Sequence, residues 1–149
     1  GINEFYQDTA EAGVDSVLIP DCPIEESDLF HQAAIENNIG PVYICPQNAD
    51  DQLISELASK SQDYVYVVSR DGVTGADHSQ HFSNVRQAER LKLAGCKHPV
   101  LGFGISKPEH VERAKTDGFS AAICGSAIVS LIKSRGDQSA FIREMMEMT

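Results

Sequence analysis

Two stretches, GFGIS at 102–106 and CGSAIV at 124–129, leave an apolar run and pass straight into a helix-like pattern. Glycine at such a junction lets the backbone approach a ligand closely, and the free amides of a helix N-terminus attract anions. Gly104 and Gly125 can therefore offer bare N–H groups, and Ser126 adds a hydroxyl at a helix start. The chemistry this suits is the holding of a phosphate by backbone dipoles. A dinucleotide fingerprint fits less well, because G-x-G-x-x-G asks for a third glycine where this chain has Lys107. A second candidate is DGVTGADHSQHF, 71–82, where Gly72 and Gly75 supply hinges. It follows a strand-like run and is about a dozen residues long, against the usual two to six, which predicts a lid or binding loop.

The charge balance bears on what such a site can hold. The chain has 22 acidic and 12 basic residues, a net charge of −10, which repels nucleic acid and anionic membranes over most of its surface. Backbone donors escape this objection, so a small phosphate ligand stays open. No run of 18 apolar residues is present, so no membrane-spanning helix is expected. Cys22, Cys45, Cys96 and Cys124 form no C-x-x-C pair and read as small core residues kept reduced in the cytosol. His78 and His81 sit in a soft polar stretch without companions, so no metal ligands are assigned.

The elements that must position these turns are legible as a repeated unit. Five β-branched runs, at 14–21, 41–46, 64–70, 99–104 and 119–125, lack strict polar alternation and suit strands covered on both faces. Helical stretches follow each run, and a leading helix closes at Gly13. In the first of them Leu29, Ala33 and Ile35 fall toward one side. The second opens with Asn48 as an N-cap and gathers Leu53, Ile54, Leu57 and Ala58. A third is expected over 83–95. A fourth begins with Ser106 and Glu109 as a capping box and ends at Gly118, and a last one covers 126–135. Strict alternation means an α/β fold with a parallel sheet and right-handed crossovers, in one domain over 1–149. Two architectures satisfy it: a five-stranded flavodoxin-like sheet serving as a stand-alone phosphate- or nucleotide-binding module, or the later part of a (β/α)8 barrel. Length favours the first. The start on a helix, with Gly1 and no Met, favours the second. Barrel loops after the last two strands are the usual phosphate site.

IPDCPIEES, ICPQNADD, YVYVVSRDGVTGAD, GFGIS and CGSAIV, in this order and at these intervals, resemble the tryptophan synthase alpha chain family along essentially the whole chain. The resemblance implies a TIM barrel of which about five of eight strands are present, this chain being its C-terminal portion from the third helix onward. It implies a lyase of tryptophan biosynthesis in the cytoplasm, one that cleaves indole-3-glycerol phosphate by a retro-aldol step to indole and glyceraldehyde 3-phosphate. The expected partner is a beta chain in an α2β2 complex; it carries pyridoxal phosphate, while this chain needs no cofactor or metal.

By the same resemblance, Tyr66 lines the substrate pocket and Ile44 faces the indole. Thr74 and Gly75 belong to the lid, and Phe103, Gly104, Gly125 and Ser126 form the phosphate-binding turns. Asp21 and Pro23 lie near the beta-chain contact. PDCP, PQN and Cys124 depart from the family's more usual ADVP, PPN and serine. The family's acid/base glutamate and its aspartate partner match nothing in this segment, so no catalytic residue is assigned and the 149 residues alone are expected to be inactive.

Overall fold

The computed structural model describes residues 1–68 and 78–148, with only helical backbone given for 78–84. The element order is α1 (Ile2–Glu11), β1 (Ser16–Leu18), a 3-10 turn (Ile24–Glu26), α2 (Asp28–Glu36), β2 (Gly40–Cys45), α3 (Asp51–Lys60), β3 (Val65–Val68), α4 (His78–Leu93), β4 (Pro99–Gly102), α5 (Pro108–Thr116), β5 (Ala121–Ala122), α6 (Ser126–Lys133) and α7 (Gln138–Met146). All neighbouring strands pair in parallel, in the order β1-β2-β3-β4-β5.

That order decides between the two architectures. A flavodoxin-like sheet reverses direction at a switch point, and this sheet never does. Uniform right-handed crossovers then place every helix on one face, as in a barrel wall. The flavodoxin-like alternative is overturned, although chain length favoured it. The other face of the sheet is the inner one. β3 shows the division: Val65 and Val67 are fully buried against helices, while Tyr66 and Val68 are only half-buried on the inner side.

The core is built from the helix-facing side. Cys45, Val65, Val67 and Leu101 meet Ile54, Leu57 and Ala58 of α3, Ala88 and Leu91 of α4, Ala114 of α5 and Met145 of α7. A smaller cluster joins Tyr6 of α1 to Ala33 and Ala34 of α2 and to Ile39. Gly13 (φ 79°) and Gly118 (φ 89°) take the left-handed conformation just past α1 and α5, which explains glycine there.

Local expectations fail in specific places. α3 is capped by Asp50, whose carboxylate accepts from the Leu53 amide at 2.8 Å, and not by Asn48. α2 buries Ala33 and Ala34, while Leu29 is 68% exposed and Ile35 also faces out. α4 starts at His78 rather than at 83, so the end of the expected lid 71–82 is helical, and 71–77 lies outside the described residues. α7 has no counterpart in the sequence reading. Its cap is Asp137, which accepts from the Ala140 amide at 2.9 Å.

Candidate functional site

The inner face and the C-terminal strand ends bring several of the expected residues together. Sheet register sets Ile44 beside Tyr66, and Tyr66 beside Val100. Paired residues in neighbouring strands point to the same face, so Ile44 and Tyr66 form one half-buried inner wall. The Tyr66 ring lies against Gly102: a Cβ at that position would fall on its Cζ and hydroxyl oxygen. Burial raises the Tyr66 pKa, and a hydrogen bond with the Phe103 backbone acts the other way. The phenol thus marks the point where β4 ends and the turn begins.

The turn itself is unusual. Phe103 (φ 75°) and Gly104 (φ 78°) are consecutive left-handed residues, and Phe103 is 63% exposed. For a residue with a Cβ this conformation costs roughly 1–2 kcal/mol and persists only where surroundings enforce it. The enforcement is visible. Ile105 is buried, the Ile123 amide donates to the Leu101 carbonyl at 2.8 Å, and the Cys124 thiol donates to the Ile105 carbonyl at 3.0 Å. His110, also buried, accepts the Ser106 amide at Nδ1 over 3.1 Å.

Gly125 is the N-cap of α6 and Ser126 its first residue, both exposed. Cys124, directly before them, also takes a hydrogen bond from the Ile128 backbone; burial nonetheless pushes its thiol pKa up. One side chain therefore ties the start of α6 to the β4–α5 turn. Phe103, Gly104, Gly125 and Ser126 end up on adjoining turns at the same end of the sheet as Tyr66. The first amides of a helix have no intrahelical acceptor, and here they border a turn with its own exposed backbone. Such an arrangement can hold an anion without a single lysine.

Asp21 and Pro23 are exposed in the turn after β1. With Ile44, Pro46 and Leu53 they line a cavity of about 340 Å³. The next turn, ICPQN, is held on three sides. Gln47 Nε2 donates to the Val68 carbonyl at 2.9 Å, and buried Gln87 donates to Cys45 Sγ (3.0 Å) and the Pro46 carbonyl (2.8 Å). Arg90 reaches the Ala49 carbonyl at 2.9 Å and Asp51 at 2.7 Å. Burial pushes the Cys45 thiol up to about 11, the Gln87 hydrogen bond opposing it. Thr74 and Gly75 lie outside the described residues. Among the described residues no three His, Cys, Asp or Glu side chains gather to hold a metal ion.

With this geometry, comparison with known proteins is decisive. The family model described as tryptophan synthase alpha chain matches residues 1–148. The chain belongs to the tryptophan synthase alpha chain family. The alpha chain of Enterobacter sp. (strain 638) is 48% identical over 138 residues, 93% of this chain and 51% of that protein. The alpha chain of Escherichia coli (strain SMS-3-5 / SECEC) is 47% identical over 133 residues, 89% of this chain and 50% of its own length. A chain of the tryptophan synthase α2β2 complex from Pyrococcus furiosus superposes with a TM-score of 0.83 at 27% identity, covering 99% of this chain and 60% of that one. The chain therefore spans about half the length of the curated alpha chains it matches. The fold is that of the alpha-chain TIM barrel, of which these five parallel strands are a part.

Three residues shape these turns in ways that the sequence alone does not indicate. Gly102 was passed over for Gly104, although the Tyr66 ring occupies its side-chain space. Cys124 reads in the sequence as a small core residue and a departure from the family pattern, and His110 carries no reading there. A histidine inside the first turn after GFGIS was the available signal, since a buried imidazole there needs a polar partner.

Proposed function

We propose that this chain is the part of a tryptophan synthase alpha chain that binds the phosphate and one side of the indole of indole-3-glycerol phosphate. In this reading the substrate phosphate sits against the Phe103–Gly104 and Gly125–Ser126 turns, and the indole lies along Ile44 and Tyr66. Thr74 and Gly75 belong to the covering loop. Asp21 and Pro23 face the beta chain, which carries the pyridoxal phosphate and takes up the indole. The setting is the cytoplasm, and the four cysteines are free thiols.

The carrying observation is the pair of adjoining turns, one with two left-handed residues and one opening a helix, joined by the Cys124–Ile105 hydrogen bond. Their donors are backbone groups, which agrees with a net charge of −10. Holding the phosphate fixes the rest of the substrate against the inner wall, and such positioning is itself catalytic. The retro-aldol step further needs a proton delivered to indole C3 and another removed from the glycerol hydroxyl. General acid/base groups supply about 10²–10⁴-fold each. No carboxylate on the inner face among the described residues suits these tasks, so the chain binds and orients while the acid/base pair comes from elsewhere in the full-length protein.

The test is indole release from indole-3-glycerol phosphate, measured with the full-length protein and with these 149 residues alone. Turnover by the first and none by the second is expected. No turnover by the full-length protein even with a beta chain present would overturn the reading.

A further inference from the structure

We propose that His110 is a positioning residue of the anion-binding turn: its neutral imidazole takes the Ser106 amide and holds Phe103–Ser106 in shape, and protonation of the ring releases that hold. This rests on the reading that the Gly104 turn binds phosphate.

The geometry carries the argument. His110 stands third in α5, after Pro108 and Glu109, and only 6% of it is exposed. Its Nδ1 lies 3.1 Å from the Ser106 nitrogen. A backbone amide can only donate, so Nδ1 must be unprotonated and the neutral ring carries its proton on Nε2. From the third helical position the side chain accepts the amide of the residue before the cap, where a capping-box carboxylate would accept that of the cap itself. It does so directly beside a strained Phe103–Gly104 pair, whose conformation needs external support.

Protonation leaves the imidazolium with two donors and no acceptor. The Ser106 amide then faces a donor, and the charged ring is favoured instead by its hydrogen bond with the Gly104 backbone. Protonation thus removes the acceptor for Ser106 while leaving the ring beside Gly104, a residue that the phosphate is proposed to touch. Burial disfavours the charged form most, Glu109 opposes that, and Lys107 adds to it. Lys107 and Glu109 are themselves paired at 3.4 Å, so their effects partly offset. Of the elements α5 packs against, β5 brings only Ala121 and Ala122, and α7 brings Arg143 and Glu144 of opposite sign. Cys124 on the facing turn has its thiol pKa raised and stays neutral.

The experiment uses the full-length protein and glycerol 3-phosphate, with binding followed by calorimetry at about pH 7.5 and about pH 5, the lower value set well under the ordinary histidine range because burial holds the His110 pKa down. His110→Leu has no acceptor and should weaken binding about three- to tenfold at the higher pH, the worth of one hydrogen bond, and little at the lower pH, where the protonated wild-type ring has already lost its acceptor. His110→Asn places an amide oxygen near Nδ1 and cannot ionise, so it should restore most of that loss. Between the two pH values the wild type should lose about three- to tenfold more affinity than His110→Asn. The ligand's own titration cancels in that ratio. Parallel pH profiles for wild type and His110→Asn would overturn the positioning role alone. No binding by wild type at about pH 7.5 would instead sink the phosphate reading, and this proposal with it. Should His110→Asn fail to fold, the ring 15N shifts of wild type decide: an Nε2–H tautomer at neutral pH, titrating together with the Gly104 and Ser106 amides, supports the role, and an Nδ1–H tautomer refutes it.

Discussion

Gly102→Ala should destabilise the protein through one side chain, that of Tyr66. Gly102 is buried at the end of β4 and is not among the residues with positive φ, so alanine brings no backbone penalty there. Its methyl group would instead land on Tyr66 Cζ and the hydroxyl oxygen. A ring cannot give way at its own atoms; it must swing aside, losing its contact with β4 and its hydrogen bond with the Phe103 backbone. Overpacking of this kind costs about 1–3 kcal/mol and a net hydrogen bond about 1 kcal/mol, so a loss of about 2–4 kcal/mol is expected. Urea unfolding of the full-length protein measures it, as a lower midpoint with unchanged slope. Tyr66→Ala removes the obstacle, and in that background Gly102→Ala should be neutral or stabilise by up to about 1 kcal/mol, because alanine restricts the unfolded chain. Tyr66→Phe keeps the ring, so the penalty should largely remain. Equal costs of Gly102→Ala in wild type and in Tyr66→Ala would refute the reasoning, since the coupling between the two sites would then be zero.

Four further outcomes follow from the same contacts. Asp50→Ala removes the side-chain cap of α3 and should cost about 1 kcal/mol in a denaturant titration, whereas Asn48→Ala should cost little, because Asn48 caps nothing. Thiol labelling near neutral pH should modify partly exposed Cys22 and Cys124 first; buried Cys45, pushed up to about 11, and buried Cys96 should react only on unfolding, as peptide mapping would show. Ser126→Ala keeps the helix-start amide and loses only the hydroxyl, so the full-length protein should show KM raised by about three- to tenfold with kcat little changed. Burial holds the His110 pKa below its ordinary 6.5, so the unfolded chain takes up the proton first as pH falls. Its contribution to stability is therefore complete above pH 6.5 and declines below it, until the folded-state pKa is passed; thermal melts of His110→Asn should lack that decline.

The class of fold and the main turns were legible because they depend on pattern. Runs such as 64–70 and 99–104, each followed by a helix, require a parallel sheet whatever the detailed packing, and Gly13 and Gly118 stop helices for backbone reasons alone. Whether the sheet reverses was not legible. That depends on which edge each strand joins, and nothing in VYVV or PVLG encodes it. The burial of α2 was legible only in part: Ala33 is buried as expected, but Leu29 and Ile35 are exposed and Ala34 is buried, on a helix that meets β2 and α1.

The Ser106 amide shows how a correct physical demand can name the wrong partner. A helix beginning at this point needs a side chain in its first turn to receive a backbone N–H left over from the turn before it. With Ser106 as the N-cap, the third helical position is Glu109, and a capping box follows. Pro108 instead occupies the first helical position, where its fixed φ fits and its missing N–H is no loss. The frame moves by one residue, Lys107 becomes the cap, and the third position passes from Glu109 to His110. Glu109 is left at the surface with Lys107, and a buried, titratable imidazole takes its place beside the Phe103–Gly104 turn. One residue of register thus replaces a carboxylate with a buried imidazole, whose charged form burial disfavours and which takes up its charge only below its ordinary range. That substitution of partner gives the turn a dependence on pH.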